Sequence, residues 1–141
     1  MSNTSSILIA STARHRYAFS RGDVMSIRIA AADSGLAGLD ERGQPFISVE
    51  LGPMLIADDH SSLPRLRALV VPMRRRSIAL LVDQIDQAPA DARVLPLPDL
   101  LRTRLTQPWA TGVVVYQDAL VVQIDLRAIV RSVLASPSRL S

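Results

Sequence analysis

Short apolar runs separated by turn-forming residues dominate this chain of 141 residues. SILIAS and HRYAFS come first, and later runs such as VMSIRIA and QPFISVEL place apolar and polar residues alternately. Such alternation is typical of β-strands that bury one face. Nine or ten short strands with two short helices do not fit a doubly wound sheet. The pattern therefore predicts an all-β fold with two short helices, closed into two small β-barrels.

Two segments favour helices. Pro98 suits the first position of a helix that continues through DLLRTRL. Near the C-terminus, Asp125 can cap a second helix, which Ser136 and Pro137 would end. This second segment carries an apolar stripe at helical spacing, formed by Leu126, Ile129, Val130, Val133 and Leu134.

The turns between strands are also predicted from local sequence. Arg74 to Arg76 lie between two apolar runs and predict a hairpin with a charged tip. Gln117 and Asp118 mark the turn of a second hairpin. The polar loop ADDHSSLP, residues 57–64, is the best candidate for an approximate break between two halves of a single domain spanning 1–141.

Glu50 and Asp125 occupy equivalent places in a weak internal repeat. In both FISVELGPMLI and VVQIDLRAIV an apolar strand ends in an acid followed by leucine. An acid at this position most simply caps the free N–H groups of the following helical turn. A binding role for Glu50 remains the alternative.

Composition excludes several classes of site. The chain has no cysteine, so disulfides, thiolate nucleophiles and cysteine-based zinc sites are impossible. All sixteen basic residues are arginine, which excludes a lysine Schiff base and a P-loop lysine. The N-terminus lacks the features of a signal peptide, and no apolar run is long enough to span a bilayer. We expect a cytoplasmic protein without membrane insertion.

No local motif points to catalysis, a cofactor or a metal. The two histidines, His15 and His60, lack metal-ligand spacing, and Asp58 to His60 is more simply a solvated loop. Nucleophile elbows and phosphate-binding glycine loops are missing. We expect no enzyme activity, although distant acids could still converge on folding. An arginine-rich small barrel that binds nucleic acid is the alternative function, and salt-sensitive binding would support it.

Four stretches, in order from Ile7 to Val130, together resemble the CheW-like family, the adaptor domains of bacterial chemosensory arrays. RYAFSRGDVMSI resembles the family's early segment, and RGQPFISVEL its RG motif, with Arg42, Gly43 and Leu51 in step and Glu50 in place of the usual aspartate. LVVPMRRRSIALLVDQIDQA resembles the hairpin before the family's LVD motif, and TGVVVYQDALVVQIDLRAIV its closing segment.

The resemblance implies one CheW-like domain of two five-stranded, SH3-like β-barrels that share an apolar seam. It also implies a non-catalytic adaptor that bridges a chemoreceptor tip to the regulatory domain of a histidine autokinase. Arg42 corresponds to an arginine implicated in receptor docking, and Val24 and Ile27 to a nearby groove. Gly43, Val82 and Gly112 lie in the matched motifs and complete the predicted partner-binding set.

The chain also departs from the family pattern before the RG motif. The segment between Ile27 and Arg42 is shorter than usual, and Ser26 stands where the family often has glutamate. In the family, the segment that is missing here contributes to receptor binding. The kinase contact, predicted from the second half of the chain, is therefore better supported than the receptor contact, predicted from the first half. Alternatively, Arg42 is a turn residue that pairs with Asp40 or Glu41.

Overall fold

The computed structural model describes residues 7–89, 92–96 and 110–135. Within these ranges the chain is mainly β-structure with two short α-helices and one 3₁₀ turn, which confirms the predicted fold class. The helix predicted to start at Pro98 lies outside the described residues. No helix in the described part is long and apolar enough to cross a bilayer.

The described residues form two sheets. The strands are β1 (Ile7–Ser11), β2 (Arg16–Ser20), β3 (Ser26–Ala31), β4 (Phe46–Glu50), β5 (Arg65–Pro72), β6 (Ser77–Val82), β7 (Gln84–Gln87), β8 (Val94–Leu95), β9 (Ala110–Tyr116) and β10 (Ala119–Ile124). The helices are α1 (Leu51–Leu55) and α2 (Leu126–Ala135). Six strands form one sheet in the order β7-β1-β2-β10-β9-β8, and four form the other in the order β3-β5-β6-β4.

Most neighbouring strands are antiparallel, and both predicted hairpins are present. The turn between β5 and β6 is closed by the backbone N–H of Met73, which donates to the carbonyl of Arg76. At the turn between β9 and β10, Gln117 and Asp118 both have positive φ, the conformation of a tight two-residue hairpin. The parallel pairs are β2 with β10 and β4 with β6.

The four-stranded sheet curls until its two edge strands approach each other. The guanidinium of Arg28 on β3 lies 5.1 Å from the ring centroid of Phe46 on β4. Arg28 also forms an ion pair with Glu41 in the connecting loop. These contacts draw the edges together, so this half has the curvature of a small barrel.

An aliphatic core joins the two sheets. Leu8 and Phe19 from the six-stranded sheet share one buried cluster with Leu69 and Leu80 from the four-stranded sheet. Helix α2 adds Leu126, Ile129 and Val130 to this cluster. The predicted apolar seam is therefore present, and burial of its side chains holds the two halves together.

Asp125 caps α2 as the sequence predicts. Its carboxylate accepts a hydrogen bond from the backbone N–H of Ala128 at 3.2 Å. Glu50 precedes α1 in the same way, but the capping prediction is wrong for this residue. Its carboxylate instead accepts a hydrogen bond from the backbone N–H of Ser61 at 2.6 Å. Glu50 therefore holds the loop of residues 57–64 against α1.

The loop 57–64 connects two strands of the same sheet, β4 through α1 to β5. The chain changes sheets elsewhere, between Ser20 and Ser26 and again at Asp83. Asp59 in this loop is buried and accepts hydrogen bonds from the hydroxyl of Thr12 and from the backbone N–H of Arg14. The polar loop thus ties the two sheets together, because its aspartate satisfies donors at the end of β1.

Candidate functional site

The predicted partner-binding residues do not form one site. Arg42 and Gly43 lie in the loop before β4, beside the β5–β6 turn. Val24 follows the 3₁₀ turn and precedes β3, next to the same end of β5, where Met25 donates to the carbonyl of Val70. One end of the four-stranded sheet therefore carries three of the six predicted residues.

The side chain of Arg42 is held by contacts within the chain. Its Nε and Nη2 donate to Asp40 Oδ2 at 3.3 Å and 3.2 Å. Nη2 also donates to the carbonyl of Arg76 and to the hydroxyl of Ser77. The Arg42 side chain keeps an exposed fraction of 39%. Arg42 is thus paired with Asp40 within the turn, as the alternative to a docking role predicts. Part of its guanidinium remains accessible.

Asp40 organises this end of the sheet. Its carboxylate accepts hydrogen bonds from the backbone N–H groups of Arg42 and Gln44, and from the hydroxyl of Ser77. Burial alone would raise its pKa, but the hydrogen bonds from Ser77, Gln44 and Arg42 outweigh burial and hold the pKa of Asp40 well below its usual range. We refer to Asp40, Arg42, Gln44 and Ser77 as the Asp40 cluster.

Gly43 is required by the turn that this cluster closes. Its φ of +78° lies in the left-handed region that favours glycine. Its backbone N–H donates to the carbonyl of Asp40 at 3.0 Å. The Arg-Gly pair therefore has a local structural role, since the glycine lets the chain turn and the arginine reaches back to Asp40.

Val24 and Ile27 present different amounts of surface. Val24 is partly buried against the core that joins the sheets. Ile27 is exposed on the edge strand β3, as is Ile29 two residues later. Ile27 is paired with buried Leu69 on β5, so the predicted groove residues include one accessible aliphatic side chain next to the core.

Val82 and Gly112 lie away from this region and have packing positions. Val82 is almost fully buried at the end of β6, in the core shared by the sheets. A Cβ atom on Gly112 would lie 2.6 Å from the carbonyl oxygen of Leu95, so glycine permits the close approach of β8 to β9. Val82 and Gly112 therefore have packing roles within the two sheets.

The structure shows an apolar surface that the sequence reading missed. Leu95, Val115 and Leu120 have exposed fractions of 42%, 52% and 63%. Leu120 is directly opposite Val115 in the β9–β10 pairing, and both share a face with Leu95. We call these three residues the hairpin surface.

Val115 and Leu120 lie at the end of the hairpin, beyond the described pairing with the neighbouring strands. Strand β2 pairs with β10 only at Val122 and Gln123. Strand β8 pairs with β9 only at Val113 and Val114. The end of the hairpin therefore projects beyond both neighbours. The apolar run VVVYQDALVV does not predict this exposure, because the lengths of the neighbouring strands depend on tertiary pairing.

Within the described ranges, no group of three or more histidine, aspartate or glutamate side chains could hold a metal ion. Three ion pairs are present among the described residues. Arg14 pairs with Asp58, Arg28 with Glu41 and Arg42 with Asp40.

Comparison with known proteins supports the fold. No protein-family model matches the chain, and no curated protein matches it. Among solved structures, the chain is similar to the crystal structure of the scaffolding protein TtCheW from Thermoanaerobacter tengcongensis, with a TM-score of 0.65 and 18% sequence identity. The match covers 88% of this chain and 90% of that chain. The chain therefore has a CheW-like fold.

Proposed function

We propose that this protein is a non-catalytic, cytoplasmic adaptor in bacterial chemosensory signalling. In this role it couples a chemoreceptor tip to a histidine autokinase by binding the regulatory domain of the kinase. Two findings support the proposal: a CheW-like fold similar to that of a scaffolding protein, and the ordered motifs from Ile7 to Val130. The hairpin surface is the observation that carries it, because an adaptor needs accessible surface that a partner can bury.

The hairpin surface has the chemistry of a protein contact. Three exposed aliphatic side chains lie on one face of the sheet, Val115 and Leu120 near the end of the β9–β10 hairpin and Leu95 on the adjoining strand β8. Exposed apolar groups that lie together gain free energy when a partner covers them. The charged groups at a protein interface usually lie at its rim, and Asp118 in the adjoining turn suits that position.

We assign the kinase regulatory domain to the hairpin surface. Both strands of the hairpin belong to the closing motif, in the half of the chain that resembles the family more fully. The edge strand β8 adds Leu95 beside them. A regulatory domain with an apolar patch of similar extent would bury these side chains together.

The receptor contact is assigned to Arg42 with Ile27, and it is the weaker contact. The accessible part of the Arg42 guanidinium can bind a carboxylate or backbone carbonyls of a receptor helix. Its present hydrogen bonds to Asp40 and Ser77 reduce the gain, because they must be shared or replaced on binding.

Calorimetric titrations of the full chain, run in parallel, test this function. One uses the regulatory domain of a CheA-like histidine autokinase from the same organism, and the other a receptor hairpin tip. The proposal predicts saturable binding to both, with the regulatory domain bound more tightly. If either titration shows no binding, the adaptor role is contradicted.

The nucleic-acid alternative has less support. Arg14, Arg28 and Arg42 each pair with an acidic side chain, which reduces the positive charge available to phosphates. Binding that weakens steeply with salt would revive this alternative. We expect unchanged electrophoretic mobility of DNA and RNA in the presence of the protein.

A further inference from the structure

Three consecutive arginines, Arg74, Arg75 and Arg76, form the turn between β5 and β6, and we call them the arginine turn. Arg74 and Arg75 are exposed, and Arg76 is half-buried. Backbone groups close the turn, because the N–H of Met73 donates to the carbonyl of Arg76 at 2.9 Å. Tight turns usually contain glycine, proline, asparagine or aspartate. The turn geometry therefore does not account for three arginines in a row.

The acids that lie beside the arginine turn already have partners. Asp40 is buried and pairs with Arg42, and Glu41 pairs with Arg28. Within the described ranges, no ion pair joins a guanidinium of the arginine turn to an acid. The arginine turn therefore differs from Arg28 and Arg42, whose charges are compensated locally.

Asp23 does not compensate the arginine turn either. It lies near Asp125 and the backbone N–H of Leu126, at the start of α2. Three positive charges thus remain at the turn, as many as the net charge of +3 of the whole chain. Like charges at adjacent positions repel one another, and carboxylates from a partner would relieve this repulsion.

From this charge distribution we infer that the arginine turn binds a cluster of carboxylates on a partner protein. A guanidinium matches the two oxygens of a carboxylate. The turn also adjoins Arg42, whose Nη2 donates to the carbonyl of Arg76 at 3.2 Å. A partner bound at the accessible part of Arg42 therefore lies within reach of the turn. That this partner is the chemoreceptor rests on the proposed function.

The surroundings of the arginine turn favour an acidic protein over a nucleic acid. Single-stranded nucleic acids stack their bases on free aromatic rings. Phe46 pairs with Ser77 beside the turn, but the guanidinium of Arg28 already lies 5.1 Å from its ring centroid. Duplex DNA is bound by a basic stripe that follows its backbone. The arginine turn is instead a compact group of charges at one end of a sheet.

Calorimetric titration of the full chain with an acidic peptide, at low ionic strength, tests the inference. The probe is an alanine-based helical peptide with glutamate at every fourth position, which places the carboxylates along one side. Its control has glutamine at the same positions. We expect saturable binding of the glutamate peptide that weakens as salt is added, and no detectable binding of the glutamine peptide. Equal binding of both peptides, or of neither, would overturn the inference.

Two double variants then locate the site. Arg74→Gln with Arg75→Gln removes two charges from the arginine turn. Arg65→Gln with Arg67→Gln removes two charges from exposed positions elsewhere on β5. The first variant should bind the glutamate peptide about tenfold more weakly, whereas the second should stay within about twofold of the wild type. Equal losses would show that net charge alone decides binding and would overturn the assignment; thermal unfolding confirms that both variants are folded.

The same variants, titrated with a receptor hairpin tip, separate this inference from the proposed function. About tenfold weaker receptor binding by Arg74→Gln with Arg75→Gln would support the receptor as the partner. Unchanged receptor binding by this variant would overturn that assignment and leave the adaptor function intact. Absence of receptor binding by the wild type would contradict the proposed function, and the peptide titrations would still decide the role of the turn. Duplex DNA that shifts with the wild type but not with this variant would overturn the inference in favour of phosphates.

Discussion

The Asp40 cluster and the hairpin surface are the two regions best placed to meet a partner. They differ in whether their side chains already have partners within the chain. In the Asp40 cluster every named polar group already has a partner within the chain, including the guanidinium of Arg42. On the hairpin surface Leu95, Val115 and Leu120 expose apolar area that no strand within the described ranges covers.

This difference indicates where binding free energy would come from. Covering the hairpin surface removes exposed apolar area from water. Engaging Arg42 exchanges internal hydrogen bonds for intermolecular ones, so the net gain is small. We therefore expect the hairpin surface to determine affinity for the kinase domain, and the Asp40 cluster to determine the shape of its own loop.

The largest effect is expected from Val115→Glu. A carboxylate at the centre of the hairpin surface would have to be buried against an apolar partner, which should weaken binding of the kinase regulatory domain by about 100-fold or more. Calorimetry measures the loss. Because Val115 is half-exposed, the melting temperature should change little.

Ile29→Glu is the matched control for Val115→Glu. Ile29 is 59% exposed on edge strand β3 of the other sheet, so the change in charge and exposure is similar. It should leave kinase-domain binding within about twofold. Equal losses from both variants would show that the effect is nonspecific and would contradict the assignment of the hairpin surface.

Asp40→Ala should have the opposite profile. It leaves the donors of Arg42, Gln44 and Ser77 without their acceptor, so the melting temperature should fall by about 5 to 10 °C. Binding of the kinase domain, measured well below the transition, should be preserved. An unchanged melting temperature in Asp40→Ala would contradict the structural role of the cluster. Loss of kinase binding in a folded Asp40→Ala variant would show that the Asp40 cluster also takes part in kinase binding.

The pH dependence of stability sharpens the same contrast. The hydrogen bonds that hold the pKa of Asp40 below its usual range favour its charged form in the folded state. Its stabilisation is therefore complete above the unfolded pKa, about 3.9, and is lost as the pH falls toward the lower folded pKa. The difference in melting temperature between the wild type and Asp40→Ala should be constant near neutrality and shrink below about pH 4. A constant difference down to pH 2, about two units lower, would argue against this linkage.

Arg42→Ala should have the smallest effects. The backbone N–H groups of Arg42 and Gln44 still reach Asp40, so the melting temperature should fall by at most about 3 °C. Titration with a receptor hairpin tip should show about tenfold weaker binding, because the accessible charge is lost. A loss of stability that accounts for the loss of receptor binding would leave Arg42 with a structural role alone.

Local patterns predicted the elements that depend on neighbours in sequence. The apolar stripe of α2 is confirmed at Leu126, Ile129 and Val130, as are its Asp125 cap and the turn at Gln117 and Asp118. These features require only backbone conformation and contacts within a few residues. The mainly β fold was also predicted, because each strand has its own alternating pattern; the division into six and four strands, in place of two sets of five, depends on tertiary pairing.

Features decided by tertiary contacts were not predictable in this way. Glu50 and Asp125 share a sequence context, but the close approach of the 57–64 loop gives Glu50 a different partner. A Cβ atom on Gly52 would lie 2.2 Å from the carbonyl oxygen of Asp59, which shows how tightly this loop packs on α1. The same limit applies to exposure: Val82 and Val115 both lie in apolar strand segments, yet one is buried and the other half-exposed.

Mapping of the bound surface by NMR tests the central claim most directly. Backbone amide and methyl shifts of the full chain would be followed while the kinase regulatory domain is added. The account predicts that Leu95, Val115 and Leu120 change most, with Arg42 and Gly43 nearly unaffected. Binding centred on the Asp40 cluster, with the hairpin surface unchanged and still exposed to solvent, would contradict it.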